Sequence, residues 1–140
     1  MKFEFQKKLY DKYPKIFRQK DLPMTETAMC WGIECDDGWF DLIDTLCFLL
    51  QHSVVNGHPQ IEAIQVKEKF GGLRFYVNGC DDYQDGLIAF AENFSYNICE
   101  ICGTTRNVGH TKNFIKTICE DCYNKSNINL EFVGEKDNKN

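Results

Sequence analysis

The chain has 140 residues, a net charge of −5 at pH 7 and eight cysteines, and 43% of its residues are hydrophobic. This length and composition are typical of one compact domain with a small appendage, and they exclude two full-sized domains. No apolar run approaches the roughly 18 residues of a membrane-spanning helix, and the charged stretch from Met1 to Lys8 does not resemble a signal peptide. We therefore expect a cytoplasmic protein without a membrane partner, with cysteines that are reduced and free to bind metal.

The first half of the sequence predicts two helices. Apolar side chains at four-residue spacing in residues 3–20 indicate an amphipathic helix that bends near Pro14. These side chains are Phe5, Leu9, Tyr13 and Phe17. A second, largely buried helix is expected to begin with Asp36 or Asp37 as its N-cap and to end near Val55.

Residues 61–77 predict a β-hairpin in which Gly71-Gly72 forms a two-residue turn. This turn places Lys69 opposite Arg74 and Glu68 opposite Phe75. Because side chains alternate between the two faces of a strand, one face is expected to be apolar and the other cationic. The apolar face would contain Ile64, Val66, Phe70, Leu73, Phe75 and Val77. The cationic face would contain Gln65, Lys67, Lys69, Arg74 and Tyr76.

The cationic face is a candidate binding surface. Arg74 can bind phosphate oxygens with its guanidinium fork, and Tyr76 can stack on a ligand or donate a hydrogen bond. The alternative interpretation is a solvated face that protects the sheet from aggregation. Trp31 and Trp39 are two further candidate residues for contact with a partner. The net negative charge disfavours broad nucleic-acid binding, although it is compatible with a local basic patch.

The second half of the sequence predicts one more helix and a short strand. Asp81 or Asp82 is expected to cap a helix that ends near Asn97, with an apolar stripe on one side. Alternating apolar residues at 128–132 indicate a last strand, and residues 135–140 are expected to be a disordered tail.

Four cysteines near the C-terminus have the spacing of a zinc site. Cys99 and Cys102 form one C-x2-C pair, and Cys119 and Cys122 form a second pair after a gap of 16 residues. A small hairpin between the pairs can bring the second pair back to the first. Four thiolates complete a tetrahedral shell and leave no position for water or substrate. The motif therefore predicts one structural zinc ion in a zinc ribbon.

Several other residues leave alternatives open. Alternation places the Glu68 carboxylate on the apolar face, where it needs a partner or acts as a catalytic group in a metal-dependent hydrolase. Cys30, Cys35 and Cys80 do not form a second site by spacing, although they could converge on a metal. His110 lies between the cysteine pairs, but the preceding Gly109 and the short gap disfavour a His-Asn-His nuclease.

Three segments together resemble small uncharacterised proteins encoded by phages and prophages. They are residues 35–44 (CDDGWFDLID), residues 66–76 (VKEKFGGLRFY) and the paired cysteines. The similarity covers about residues 30–122. It implies a phage context, the cytoplasm of a bacterial host and a C-terminal zinc ribbon, and it favours proteins that bind and block host machinery such as defence factors.

These observations predict an α+β fold, with two or three helices on one face of a small antiparallel sheet. We expect a core domain over residues 1–98, a zinc ribbon over 99–123, and a short strand and tail over 124–140. The leading functional hypothesis is a non-enzymatic binding protein whose partner is a host protein or a phosphorylated ligand. A metal-dependent nuclease or nucleotide hydrolase is one alternative. A zinc-ribbon module that binds nucleic acid is the other.

Overall fold

The computed structural model describes residues 1–134 of the chain, so the expected tail at 135–140 lies outside the described residues. Residues 1–134 form four α-helices and two three-stranded sheets, which confirms the predicted α+β fold. The helices are α1 (Phe3–Lys12), α2 (Phe40–Val55), α3 (Asp82–Phe94) and α4 (Glu120–Lys125). The strands are β1 (Ile33–Glu34), β2 (Glu62–Lys69), β3 (Gly72–Asn78), β4 (Val108–Thr111), β5 (Thr117–Cys119) and β6 (Phe132–Gly134).

The first sheet has the order β1-β2-β3, with β1 parallel and β3 antiparallel to β2. Ile33, Val66 and Phe75 lie side by side in the strand register, and all three are buried. They pack with apolar residues of α1, α2 and α3 in one continuous core. One face of this sheet is therefore covered, and the row Glu34, Lys67 and Arg74 lies on the other face. No helix within residues 1–134 combines the length and apolar character needed to cross a bilayer.

The helix boundaries differ from the expected ones where the chain makes a tertiary contact. The helix α1 ends at Lys12 and does not continue beyond Pro14, which cannot extend the ladder of backbone hydrogen bonds. The helix α2 is preceded by a 3-10 turn, and Asp37 accepts a 2.7 Å hydrogen bond from the Lys2 backbone N–H. Neither Asp36 nor Asp37 therefore caps the helix. Asp81 does cap α3, in a reciprocal arrangement with Gln84.

The hairpin turn lies one residue earlier than the sequence predicts. Phe70 and Gly71 form the turn with φ angles of 52° and 80°, and Lys69 pairs with Gly72. Positive φ at both central residues is the geometry of a type I′ turn. The Glu68 carboxylate stabilises this turn, because it accepts a 2.7 Å hydrogen bond from the Gly71 N–H. Phe70 is consequently 68% exposed and does not join the apolar face.

Residues 99–134 form the second sheet, with the order β5-β4-β6, together with the short helix α4. The strands β4 and β5 are the expected hairpin between the cysteine pairs. The strand β6 pairs with the free edge of β4, so the predicted boundary at residue 123 divides this sheet. The last strand also begins later than the expected segment 128–132. We call residues 99–134 the ribbon.

Candidate metal centre and cationic sheet face

The structure brings Cys99, Cys102, Cys119 and Cys122 together. Their sulfur atoms all lie within 4.8 Å of one another, and the Sγ atoms of Cys102 and Cys119 are 3.7 Å apart. A tetrahedral ion with metal–sulfur bonds of about 2.3 Å separates its sulfur ligands by about 3.8 Å. All four cysteines are free thiols, and none of them forms a disulfide. The cluster therefore fits one metal ion with four sulfur ligands.

The backbone explains how each pair converges. Gly103 takes a φ of 78° and donates its N–H to the Cys99 carbonyl at 2.8 Å, which closes a tight turn around the first pair. Cys119 ends β5 and accepts a 3.4 Å hydrogen bond from the Cys122 N–H at the start of α4. Amide groups that point at the sulfurs favour the thiolate form that binds metal.

Without a bound ion, the pKa values of three of the four thiols shift, and they do not all shift in the same direction. Burial raises the pKa of the Cys102 thiol, but the Thr104 backbone N–H and the neighbouring cysteines outweigh burial and leave that pKa below its ordinary value. Burial is also the main reason why the pKa values of Cys119 and Cys122 are raised. An ion that binds here must displace protons, so its affinity depends on pH.

Glu100 connects the first cysteine pair to the core. Its carbonyl accepts a 2.8 Å hydrogen bond from the Gly38 N–H, and its carboxylate accepts a 3.0 Å hydrogen bond from the Asp36 N–H. Lys116 of the ribbon lies 3.1 Å from the Glu100 carboxylate and 2.6 Å from the Asp36 carboxylate. Glu100 is almost completely buried, so these contacts compensate the loss of its hydration.

A second contact joins the ribbon to the hairpin turn. The Thr117 hydroxyl donates a 2.6 Å hydrogen bond to the Gly71 carbonyl, and both residues are buried. A Cβ atom at Gly71 would lie only 2.8 Å from the Ile115 side chain. This close approach and the φ of 80° both favour glycine at residue 71. The ribbon, which carries the metal centre, therefore contacts both the segment before α2 and the β2–β3 turn.

The expected cationic face is present on the side of the first sheet opposite the core. Lys67 pairs directly with Arg74 across β2 and β3, and Gln65 pairs with Tyr76. Lys69 lies at the end of β2, and its Nζ atom is 5.6 Å from the centre of the Phe70 ring. Lys67, Lys69 and Arg74 form no ion pair with any residue in 1–134. Glu34 is in register with Lys67 but is not bonded to it.

Arg74 is held in place by neighbouring oxygens. One guanidinium nitrogen donates to the Leu73 carbonyl at 2.7 Å, and the other donates to the Tyr96 hydroxyl at 3.2 Å. The hydrogen bond to Tyr96 is the main reason why the pKa of Arg74 is raised. Tyr96 lies directly over Gly72, where a Cβ atom would be 2.4 Å from the phenol oxygen.

The two tryptophans have different environments. Trp31 is 64% exposed at the surface, whereas Trp39 is 0% exposed and donates its indole N–H to the Ile98 carbonyl at 3.0 Å. The prediction that Trp39 contacts a partner is therefore wrong, because the core covers its ring completely.

The remaining cysteines do not form a second metal cluster within residues 1–134. Cys35 is buried, and burial raises the pKa of its thiol to about 12. Cys47 is completely buried in α2, where it is a small core residue, and Cys80 is exposed. Cys30 directs its thiol to the Thr27 carbonyl at 3.3 Å.

Three residues that contribute to these sites were not predicted from the sequence. Glu100 and Lys116 join the ribbon to the core, and the only local signal was a carboxylate between two metal ligands. Tyr96 is distant in sequence from its partner Arg74, so no local pattern connects them.

No protein-family model, curated protein or solved structure matches this chain.

Proposed function

We propose that the four-cysteine cluster binds one zinc ion and that this ion is structural. Four thiolates in a tetrahedral arrangement are the typical ligands of structural zinc, and they fill its coordination shell. The ion would fix the position of Glu100, which lies between two of the ligands and contacts the core. Native mass spectrometry with elemental analysis tests this proposal. One zinc per chain is expected, and a bound iron–sulfur cluster would contradict it.

We propose that the protein is a non-enzymatic binding protein whose cationic face captures a phosphorylated ligand. The observation that supports this most directly is the cross-strand pair of Lys67 and Arg74. Like charges directly opposite each other destabilise a sheet, and these two have no ion-pair partner within residues 1–134. A bound phosphate would remove this repulsion and would be held by charge-assisted hydrogen bonds.

The position of Glu68 favours a binding protein over a hydrolase. Its carboxylate accepts the Gly71 N–H and so stabilises the turn, and only the four-cysteine cluster in residues 1–134 has metal-binding geometry. The resemblance to phage-encoded proteins supports a role in the cytoplasm of a bacterial host, where the captured ligand would belong to a host pathway or defence system.

A titration with inorganic tripolyphosphate tests the cationic face. The zinc-loaded protein is expected to bind this anion, and a variant with Lys67→Gln and Lys69→Gln is expected to bind at least tenfold more weakly. The control carries Lys8→Gln and Lys15→Gln, which produce the same change in net charge at exposed positions outside the face. Equal weakening in both variants would show that only the overall charge matters, and the proposal would be wrong.

A further inference from the structure

A cleft of about 400 Å³ lies between the β2–β3 turn and the ribbon. Phe70, Tyr96 and Asn97 line the core side of the cleft, and Val108, His110 and Ile115 line the ribbon side. Its volume is in the range of small-ligand sites, and its walls combine apolar and aromatic surface with a few polar groups. The ribbon, which also carries the four cysteines, provides one wall of the cleft.

Phe70 has an unfavourable backbone conformation without a compensating contribution to the core. A bulky residue at a φ of 52° is uncommon, and the type I′ turn strongly favours asparagine or glycine at this position. The Phe70 ring is nevertheless 68% exposed. Strained residues of this kind are concentrated at functional sites, where another requirement opposes local stability. The strained conformation of Phe70 holds its ring exposed at the edge of the cleft.

Each aromatic side chain on the core side is next to a cation. The Lys69 Nζ atom is 5.6 Å from the Phe70 ring centre, and an Arg74 nitrogen is 3.2 Å from the Tyr96 hydroxyl. Gly72 allows Tyr96 to lie against the hairpin, because any Cβ at that position would collide with its ring. Stacking surface and positive charge are therefore combined at one end of the cleft.

We propose that this cleft binds a nucleotide unit. The base stacks on Phe70 and Tyr96 inside the cleft, and the phosphates bind Lys69 and Arg74 at its edge. Asn97 and His110 offer hydrogen bonds to the polar edge of the base. This inference rests on the proposed phosphate binding by the cationic face and adds the heteroaromatic part of the ligand. A free nucleotide and a nucleotide within a single strand share this chemistry.

The test compares the four ribonucleoside triphosphates with inorganic tripolyphosphate in equilibrium titrations of the zinc-loaded protein. At least one nucleotide is expected to bind tenfold or more tightly than tripolyphosphate. The variant Phe70→Asn is expected to lose this advantage while its thermal stability is unchanged or higher, because asparagine accepts the positive φ. The control Phe114→Ala removes a ring that is equally exposed, at 69%, but lies outside the cleft, and it is expected to bind normally.

The outcomes separate the two proposals. Equal affinity for tripolyphosphate and all nucleotides would overturn the nucleotide cleft and leave phosphate binding intact, whereas no binding of either would overturn both. A nucleotide preference that persists in Phe70→Asn and in Tyr96→Leu would place the base elsewhere and also contradict the inference. A ten-nucleotide single-stranded DNA that binds tenfold more tightly than the best mononucleotide would identify a strand as the source of the nucleotide unit.

Discussion

The backbone N–H of Gly38 donates a 2.8 Å hydrogen bond to the carbonyl oxygen of Glu100. The two chain segments are so close that a Cβ atom at residue 38 would lie 2.2 Å from the Cys99 carbonyl oxygen and 2.5 Å from that of Glu100. A side chain at this position cannot be accommodated by rotation, because both obstacles are backbone atoms. The 3-10 turn before α2 and the first pair of cysteines are therefore packed backbone to backbone.

This contact predicts that Gly38→Ala separates the ribbon from the core. We expect a loss of about 2–3 kcal/mol in the free energy of unfolding, which is typical of severe overpacking, together with weaker metal binding. Thermal denaturation and competition with a zinc chelator measure the two effects. The matched control is Gly86→Ala, because a Cβ in the middle of α3 meets nothing within 4 Å. That change is expected to stabilise the protein by about 0.5–1 kcal/mol. Similar behaviour of the two variants would contradict the tight contact.

Removal of the metal is expected to unfold the ribbon and to expose Trp39. Without the ion, no metal–sulfur bonds join the two cysteine pairs, and metal binding supplies much of the folding energy of a small ribbon. Amide exchange should lose its protection over residues 99–134. In a Trp31→Phe background, Trp39 is the one remaining tryptophan, and its emission should shift to longer wavelength after chelation as the Ile98 carbonyl is released.

The cysteine variants provide the matched comparison for metal removal. Cys102→Ser is expected to reproduce the effect of chelation, whereas Cys80→Ser changes an exposed thiol outside the cluster and should bind one ion normally. Protection of residues 99–134 that survives verified loss of the metal would show that the ion is not structural.

Thr117→Val is expected to loosen the ribbon from the hairpin turn. The substitution keeps the shape of the side chain but removes the hydroxyl that donates to the Gly71 carbonyl at 2.6 Å. An unsatisfied buried carbonyl costs about 1–3 kcal/mol. Urea denaturation measures this loss, and faster amide exchange at the turn would locate it. The same substitution at exposed Thr25 should change neither quantity. A Thr117→Val variant with unchanged stability would show that the hydrogen bond contributes nothing to docking.

The stability of the core should decrease at alkaline pH because of buried Tyr13 and partly buried Tyr10. Burial, together with the Asp44 carboxylate, raises the pKa of Tyr13 to about 12, and burial also raises the pKa of Tyr10 to about 12. The unfolded chain releases these protons near pH 10, whereas the folded protein retains them. The free energy of unfolding must therefore fall as the pH rises from about 10 to about 12.

Denaturation at a series of pH values, with tyrosinate absorbance as the second probe, measures this dependence. Tyr13→Phe should be less stable near pH 8, because it loses the hydrogen bonds to Asp44, but its stability should decline less steeply above pH 10. A decline as steep as that of the wild type would assign the effect to other groups.

Local patterns in the sequence predicted the parts of the structure that depend on local interactions. The cap of α3 and the metal-binding cysteines depend on residues close to them in sequence. The sequence narrows the cap to Asp81 or Asp82, of which Asp81 is the cap, and it predicts all four clustered cysteines. The hairpin turn was misplaced by one residue because Gly71-Gly72 is the more favourable local choice. The structure shifts the turn to Phe70-Gly71, and both Glu68 and the ribbon stabilise this arrangement. Contacts with the ribbon are long-range, so no local pattern could show them.

In the candidate site, too, the features that depend on local patterns could be predicted and the long-range contacts could not. The four metal ligands are recognisable because coordination chemistry limits their spacing. Alternation along β2 and β3 correctly placed Lys67, Arg74 and Tyr76 on one face, because that periodicity survives the shift of the turn. Trp39 was misassigned, since an aromatic residue next to polar ones has the same appearance whether its ring points inward or outward. The cleft joins two segments that are distant in sequence, and only the folded chain reveals it.

The pairing of β6 with β4 determines how the ribbon can be handled as a separate piece of protein. A fragment that ended soon after Cys122 would keep all four ligands and would still bind its ion. It would also expose the β4 edge, where Gly109 now lies so close to β6 that a Cβ atom would be 2.2 Å from the Val133 oxygen. The unpaired N–H and C=O groups of such an edge can form hydrogen bonds with another copy of the fragment. The smallest independent ribbon therefore extends to Gly134, and shorter versions should self-associate even when fully loaded with metal.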